Sequence, residues 1–216
     1  MAKMAVLVDV SRCTGCRGCQ VACKQWNKNP ATECEFEGTY ENPKDLEWNT
    51  FTRVTFNEHD INGKLAWLFA KVQCRHCEEP DCISNCPVEG AIVKHANGAV
   101  VVDQTKCTGN ADGKCQLACQ MCQYGVPRFL QVAPKKMKKC TFCFDRQADG
   151  KAPACVTACL SDTLVFGKRE DILKEGQARL AKLKATNPDA RLLDSDAVNW
   201  IYLLPHSDDK YRLVPE

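Results

Sequence analysis

Short apolar runs bounded by polar residues recur along the whole chain. Two of them, Val6–Val8 and Val100–Val102, are each followed by an aspartate and precede a cysteine by the same interval. Short runs rich in β-branched residues that end at a polar residue are typical of strands. The pattern therefore predicts two strands that each lead into a loop, and it indicates an internal repeat.

Further elements follow from the same criteria. The runs Ala91–Val93 and Thr163–Phe166 predict two more strands. Apolar residues recur at roughly helical spacing between residues 169 and 186, and the pattern stops before Pro188, so a helix is predicted there. Segments between closely spaced cysteines, such as residues 20–22, leave room only for single helical turns.

Two segments differ from the rest of the chain. Residues 31–66 mix acidic with aromatic side chains, which is typical of a long insertion packed on another surface. The tail from Asn199 is partly apolar and contains two prolines, which predicts a docked extension. No apolar run approaches the ~20 residues that a membrane span requires, and the amino terminus lacks a signal-peptide pattern. We therefore expect a soluble protein without a membrane span.

Cysteine is the most unusual feature of the composition, at 17 of 216 residues. This density indicates either disulfides or metal binding, and an odd number in tight groups favours metal. Only Cys34 stands outside four groups of four. Group one is Cys13, Cys16, Cys19 and Cys23; group two is Cys74, Cys77, Cys82 and Cys86; group three is Cys107, Cys115, Cys119 and Cys122; and group four is Cys140, Cys143, Cys155 and Cys159.

The spacing within the groups predicts four [4Fe–4S] clusters. A C-x2-C-x2-C-x3-C run supplies three ligands to one cluster and a fourth to another, and group one has this spacing. Groups two and four keep its outer C-x2-C and C-x3-C pairs. Group three departs from it, because residues 108–114 lengthen its first interval, so a three-iron cluster or no cluster remains an alternative there. Zinc explains group four alone but the whole chain poorly.

The net charge must be considered together with these clusters. The formal value is +2, and four clusters held by thiolates would change it to roughly −6. The positive charges of the lysines and arginines then partly compensate the negative charge of the metal sites. No nucleic-acid partner is needed to explain these basic residues.

Six stretches of the chain carry a resemblance to a known family. They are Cys13–Asn27, Gly38–Pro43, Gln73–Cys82, Tyr124–Arg128, Lys139–Arg146 and Gly150–Cys159. Together they resemble the iron–sulfur (beta) subunits of molybdenum- or tungsten-dependent formate dehydrogenases. The resemblance implies an α+β fold with two ferredoxin-like, cluster-binding domains related by pseudo-symmetry, a long insertion and a C-terminal extension.

The resemblance also implies domain limits. The first ferredoxin-like domain would combine residues 1–30 with 131–168, and the second would span residues 67–130. Residues 31–66 would be the insertion, packed on a partner, and residues 169–216 the helix and the C-terminal extension.

Carried over by position, the resemblance implies four ligand sets. Set A is Cys13, Cys16, Cys19 and Cys159; set B is Cys23, Cys140, Cys143 and Cys155; set C is Cys74, Cys77, Cys82 and Cys122; and set D is Cys86, Cys107, Cys115 and Cys119. Spacing alone fits an exchange between groups one and two, and between three and four, equally well. Leu160 follows Cys159 where the family usually has proline.

The implied function is that of an electron-transfer subunit without a substrate-converting site of its own. Its partner would be a catalytic alpha subunit, in a heterodimer, that alone carries the molybdenum or tungsten bis-pterin cofactor. The external acceptor would be a multihaem cytochrome c. Co-export with the catalytic subunit would place the complex in the periplasm, with the cytoplasm as the alternative. An equivalent subunit of another bis-pterin reductase or of a hydrogenase, and a zinc-binding interaction module, are the competing hypotheses.

Several residues outside the ligand sets have hypothetical roles. Lys139 is the candidate for tuning a cluster, since it adjoins Cys140 and a reduced cluster gains negative charge. The lysines just before it are typical of a solvated face. His76 is expected to fix its loop through hydrogen bonds, and Cys34 is expected to be an unligated thiol.

Overall fold

The computed structural model describes residues 2–110, 115 and 121–214. The strands are β1 (Met4–Asp9), β2 (Thr52–Ile61), β3 (Lys64–Gln73), β4 (Ile92–Lys94), β5 (Val100–Val102), β6 (Arg128–Phe129), β7 (Met137–Lys138), β8 (Leu164–Lys168), β9 (Arg191–Leu193) and β10 (Trp200–Leu204). The helices are α1 (Gly18–Trp26), α2 (Asp81–Ser84), α3 (Phe144–Ala148), α4 (Ala154–Thr157) and α5 (Arg169–Leu183).

A four-stranded sheet with the order β8-β1-β10-β9 forms the centre of the fold. β10 is parallel to β1, and the other two pairs are antiparallel. Side chains alternate between the two faces along a strand, and both faces are covered here. Val6, Val8, Trp200 and Tyr202 belong to one buried cluster, while Ala5, Leu7, Ile201 and Leu203 belong to another.

The locally encoded elements are confirmed. β1 and β5 contain the two repeated apolar runs, and β4 and β8 overlap the two further predicted strands. α5 begins at Arg169 and ends at Leu183, before Pro188, as the spacing of apolar residues predicts.

The C-terminal segment is more than a docked extension, which corrects the prediction made from its sequence. All five residues of β10 are buried, with exposed fractions of 0–1%. The strand lies between β1 and β9 and so joins the two ends of the chain. Parallel pairing of such distant segments leaves no local sequence signal.

Helix α1 is longer than the single turns that the cysteine spacing predicts. It runs without interruption through Cys19 and Cys23 to Trp26. Because cysteines four residues apart lie on one face of a helix, Cys19 and Cys23 can both belong to one continuous helix. The buried Gln20 accepts a hydrogen bond from the Val54 N–H at 2.9 Å and attaches α1 to β2.

The predicted insertion contains a long hairpin. β2 and β3 pair over their full lengths and are joined by Asn62 and Gly63, both with positive φ. An Asn-Gly pair favours this turn because both central residues of a type I′ turn require positive φ. β3 continues beyond residue 66 as far as Gln73, so the hairpin carries the chain directly to Cys74.

The described part of the chain contains no helix that is both long and apolar enough to cross a membrane.

Candidate metal centre

All cysteines that the structure describes are free of disulfides. Cys119, the remaining predicted member of set D, lies outside the described residues. Cys34, the cysteine outside the four groups, is exposed.

The cysteines of set A lie together near the beginning of α1 and the beginning of the loop after α4. Burial raises the pKa of Cys13, and the neighbouring Cys159 and Cys16 raise it further. Burial likewise raises the pKa of Cys19 to about 12, with contributions from Cys13 and Cys16. Cys16 itself is exposed, so set A reaches the surface.

The cysteines of set B surround a cavity that Lys71 and Trp200 also line. Burial raises the pKa of Cys23 well above its ordinary value, and the other three members of the set raise it further. α1 supplies Cys23, α4 supplies Cys155, and the turn before α3 supplies the other two.

The cysteines of set C surround a second cavity. Burial raises the pKa of Cys77 to about 12, and Cys74, Cys122 and Cys82 add to the effect. Lys139 and Arg75 complete part of the wall.

Three predicted members of set D belong to one apolar cluster. Cys107 and Cys115 are buried there, and Cys86 packs against the same group of side chains. Ile92 of β4 and Met137 of β7 fill the space beside them.

The structure thus brings group one together with group four, and group two together with group three. The sets also follow one another in space. Cys155 of set B raises the pKa of Cys19 in set A, and Cys74 of set C raises that of Cys140 in set B. Sets C and D adjoin because Cys82, within the short helix α2, and Cys86, just after it, are only four residues apart. The resulting order is A, B, C, D.

The C-x2-C loops of groups one, two and four share one backbone conformation. The residue before the second cysteine has positive φ in each: Gly15 (67°), His76 (52°) and Phe142 (59°). Positive φ is uncommon for residues other than glycine, so the residue types His76 and Phe142 do not reveal this repeat in the sequence.

Comparisons with known proteins identify the family of this chain. Residues 65–169 match the family described as "4Fe-4S dicluster domain". The "Formate dehydrogenase subunit beta" of Megalodesulfovibrio gigas is 40% identical over 207 residues, which cover 95% of either chain. This chain belongs to the iron–sulfur subunits of formate dehydrogenases.

Two other relatives place the chain in the same family. The "Formate dehydrogenase, nitrate-inducible, iron-sulfur subunit" of Escherichia coli is 38% identical over 221 residues, covering 100% of this chain and 73% of the relative. The "Formate dehydrogenase 2 subunit beta (cytochrome c-553)" of Nitratidesulfovibrio vulgaris is 37% identical over 210 residues, covering 96% and 95%. The resemblance identified from the motifs is confirmed.

Two lysines of this iron–sulfur subunit are buried beside the cysteine sets. Lys139 is 5% exposed, and its Nζ lies 3.6 Å from the Cys74 Sγ and donates to the Val100 carbonyl. Burial lowers the pKa of Lys139, but Cys74, Cys82 and Cys140 together raise it above its ordinary value. Lys139 is therefore not part of the solvated face, whereas Lys135 of the same basic run is exposed to solvent.

Lys71 is the second of these lysines, and sequence reasoning missed it. It is 3% exposed and lines the cavity of set B. No local pattern marks it, because its burial results from the position of the β2–β3 hairpin against the core.

Buried N–H groups without an acceptor accompany these cations. His76 accepts a hydrogen bond from the Val100 N–H at its Nδ1, at 2.9 Å, and this agrees with the expected role of fixing the loop. Burial, with Lys139 and Lys71, lowers its pKa well below the ordinary value, so the ring is neutral and carries its proton on Nε2. Within the described residues, neither His76 Nε2 nor Trp200 Nε1 has a hydrogen-bond partner.

The buried N–H and ammonium groups beside the cysteine sets fit an anionic group rich in sulfur. Buried donors and ammonium groups need acceptors and counter-charges, and cysteine thiolates with inorganic sulfide supply both. A zinc ion would instead need ligand sulfurs at ~2.3 Å from one point. Among residues 2–110, 115 and 121–214, no three His, Cys, Asp or Glu side chains are placed to hold a single metal ion.

Proposed function

We propose that this iron–sulfur subunit carries electrons through four [4Fe–4S] clusters, held by the cysteines of sets A to D. The clusters would connect a molybdenum or tungsten bis-pterin catalytic subunit with an external acceptor. The observation that carries the proposal is the row of cysteine sets, in which neighbouring sets are close enough to influence each other's pKa values.

The chain's own residues have three tasks in this function. Thiolates hold each cluster, and a bound cluster supplies a reversible one-electron couple. Buried apolar side chains such as Phe142 and Trp200, both 0% exposed, exclude water. N–H groups and ammonium groups beside the sulfurs stabilise added negative charge, as with the Phe142 N–H, whose nitrogen is 3.4 Å from the Cys140 Sγ.

The finer division into two pseudo-symmetric ferredoxin-like domains is part of this proposal. Residues 1–30 with 131–168 would hold sets A and B, and residues 67–130 would hold sets C and D. The repeated strands β1 and β5, each followed by a cysteine loop, support the division. The β2–β3 hairpin and β10 would be additions that pack on both halves.

The proposed partner is a catalytic alpha subunit, which alone would convert formate, in a heterodimer with this chain. The segment 31–66 would contact it, and the exposed Phe36 (87%) and Tyr40 (55%) support this assignment. The printed name of the Nitratidesulfovibrio relative mentions cytochrome c-553, which supports a cytochrome c as the acceptor. We place the complex in the periplasm, with the cytoplasm as the alternative.

Iron analysis of anaerobically purified protein tests the proposal. We expect about sixteen irons per chain, with no stoichiometric zinc. Cys119→Ser should remove about four irons, whereas Cys34→Ser, which changes the cysteine outside the sets, should remove none. Zinc-loaded protein without paramagnetic signals after reduction would overturn the proposal, and full iron in the Cys119 variant would reject that ligand.

A further inference from the structure

An ammonium group is enclosed between sets A and B. Lys71 lies on β3 and is 3% exposed. Its Nζ donates hydrogen bonds to the Thr52 Oγ1 at 2.6 Å and to the Gln73 Oε1 at 2.8 Å, and it lies 4.5 Å from the centre of the Trp200 ring. All three contacts are to neutral groups. Within the described part of the chain, no carboxylate forms an ion pair with Lys71.

Lys71 lines the same cavity as the four cysteines of set B, whose sulfurs would carry negative charge beside it. Burying a charge costs free energy unless an opposite charge or hydrogen bonds compensate it. Burial lowers the pKa of Lys71, but Cys155, Cys19 and Cys140 raise it above the ordinary value. Cys19 belongs to set A, and the other two belong to set B. The ammonium therefore has a counter-charge that is divided between two neighbouring sets.

A closed hydrogen-bond network keeps this ammonium in place. The Gln73 Nε2 donates to the Tyr202 hydroxyl at 2.9 Å, and this hydroxyl donates to the Lys71 carbonyl at 2.5 Å. Tyr202 thereby orients the Gln73 amide so that its oxygen points at the Lys71 Nζ. Because Tyr202 belongs to the central strand β10, the position of the charge is fixed by the core of the fold.

We propose that Lys71 sets the reduction potentials of the two clusters held by sets A and B, by serving as their shared counter-cation. The inference rests on the proposed function, since it requires clusters in both sets. Each electron added to either cluster brings more negative charge close to the fixed ammonium. Coulombic attraction between buried charges is only weakly screened by the solvent. Lys71 thus makes reduction of both clusters more favourable.

Replacing Lys71 by methionine tests this role in the anaerobically purified full chain with any subunit that accompanies it. Paramagnetic resonance during a redox titration reports each cluster's midpoint potential, and Cys16→Ser and Cys143→Ser assign the signals of sets A and B. We expect Lys71→Met to shift these two potentials to more negative values and to leave set D unchanged. Lys64→Met, on the exposed end of the same strand, removes the same charge and should shift none.

A second variant keeps the lysine and nearly the same side-chain volume. Gln73→Glu places a carboxylate 2.8 Å from the Nζ, the distance of the present amide oxygen. It should neutralise the ammonium locally and shift the potentials of sets A and B in the same direction, even if Lys71→Met loses iron. Lys71→Arg, which keeps the charge, should restore values close to those of the wild type.

Unchanged potentials of sets A and B in Gln73→Glu, with full iron content, would overturn the inference. A wild-type protein without the four clusters would instead reject the proposed function, because its iron content and signals would already be deficient before any substitution.

Discussion

The amino group of Lys139 contacts a cysteine sulfur, although Lys135 in the same basic run is exposed to solvent. Its Nζ lies 3.6 Å from the Cys74 Sγ of set C. Loss of a positive charge next to a cluster disfavours addition of an electron. We therefore expect Lys139→Met to shift the set C potential to a more negative value, as measured by redox titration. The exposed Lys135, in the same basic run, provides the matched control, and an equal shift in Lys135→Met would contradict a local effect.

The sequence identified only one of the two buried lysines. Lys139 adjoins a cysteine, so its position next to set B follows from chain connectivity alone. Lys71 precedes Cys74 by three residues, and the cysteines that interact with it electrostatically, Cys19 and Cys155, are far away in the sequence. Such a charge becomes recognisable only when the fold brings its partners together. The same holds for the pairing of cysteine groups, which spacing left open.

At the scale of elements, β10 is a fully buried strand of the central sheet. Ile201 is 0% exposed and lies in the buried cluster that also contains Leu7 and Val72. Ile201→Ala should lower the free energy of unfolding by about 2–5 kcal/mol, because it removes buried methyl groups and leaves a cavity. Anaerobic denaturant titration measures the change. Leu65→Ala, at a 69% exposed position on β3, should change stability by less than ~0.5 kcal/mol, and equal losses would contradict this view of β10.

The elements that the sequence predicts correctly are those encoded within a few residues. β1, β5 and α5 follow from local apolar patterns and from the stop at Pro188. β10 has an apolar pattern as well, but its central place depends on pairing with the opposite end of the chain. α1 is underestimated because cysteine spacing gives no information on whether the backbone between ligands stays helical.

For the whole molecule, the cysteine sets and the buried lysines depend on each other. Burial raises the pKa values of Cys19, Cys77 and Cys140 to about 12 each. In protein without metal, these thiols are therefore neutral at pH 7. Lys71 and Lys139 would then be buried without anions, although each relies on thiolates to hold its pKa above the ordinary value. An isolated buried charge is strongly destabilising.

Iron removal should therefore destabilise the core, and removal of both lysines should partly reverse the effect. We expect chelated wild-type protein to lose near-ultraviolet circular dichroism at a lower temperature than the chelated Lys71→Met/Lys139→Met variant, by an amount that corresponds to roughly 1–4 kcal/mol. With iron bound, the order should reverse, because the ammonium groups then neutralise cluster charge. The double variant Lys64→Met/Lys135→Met alters two exposed lysines instead and should leave both melting temperatures unchanged. If the chelated wild type melted at or above the temperature of the chelated variant without the buried lysines, the two cations would not depend on the metal sites for their counter-charge.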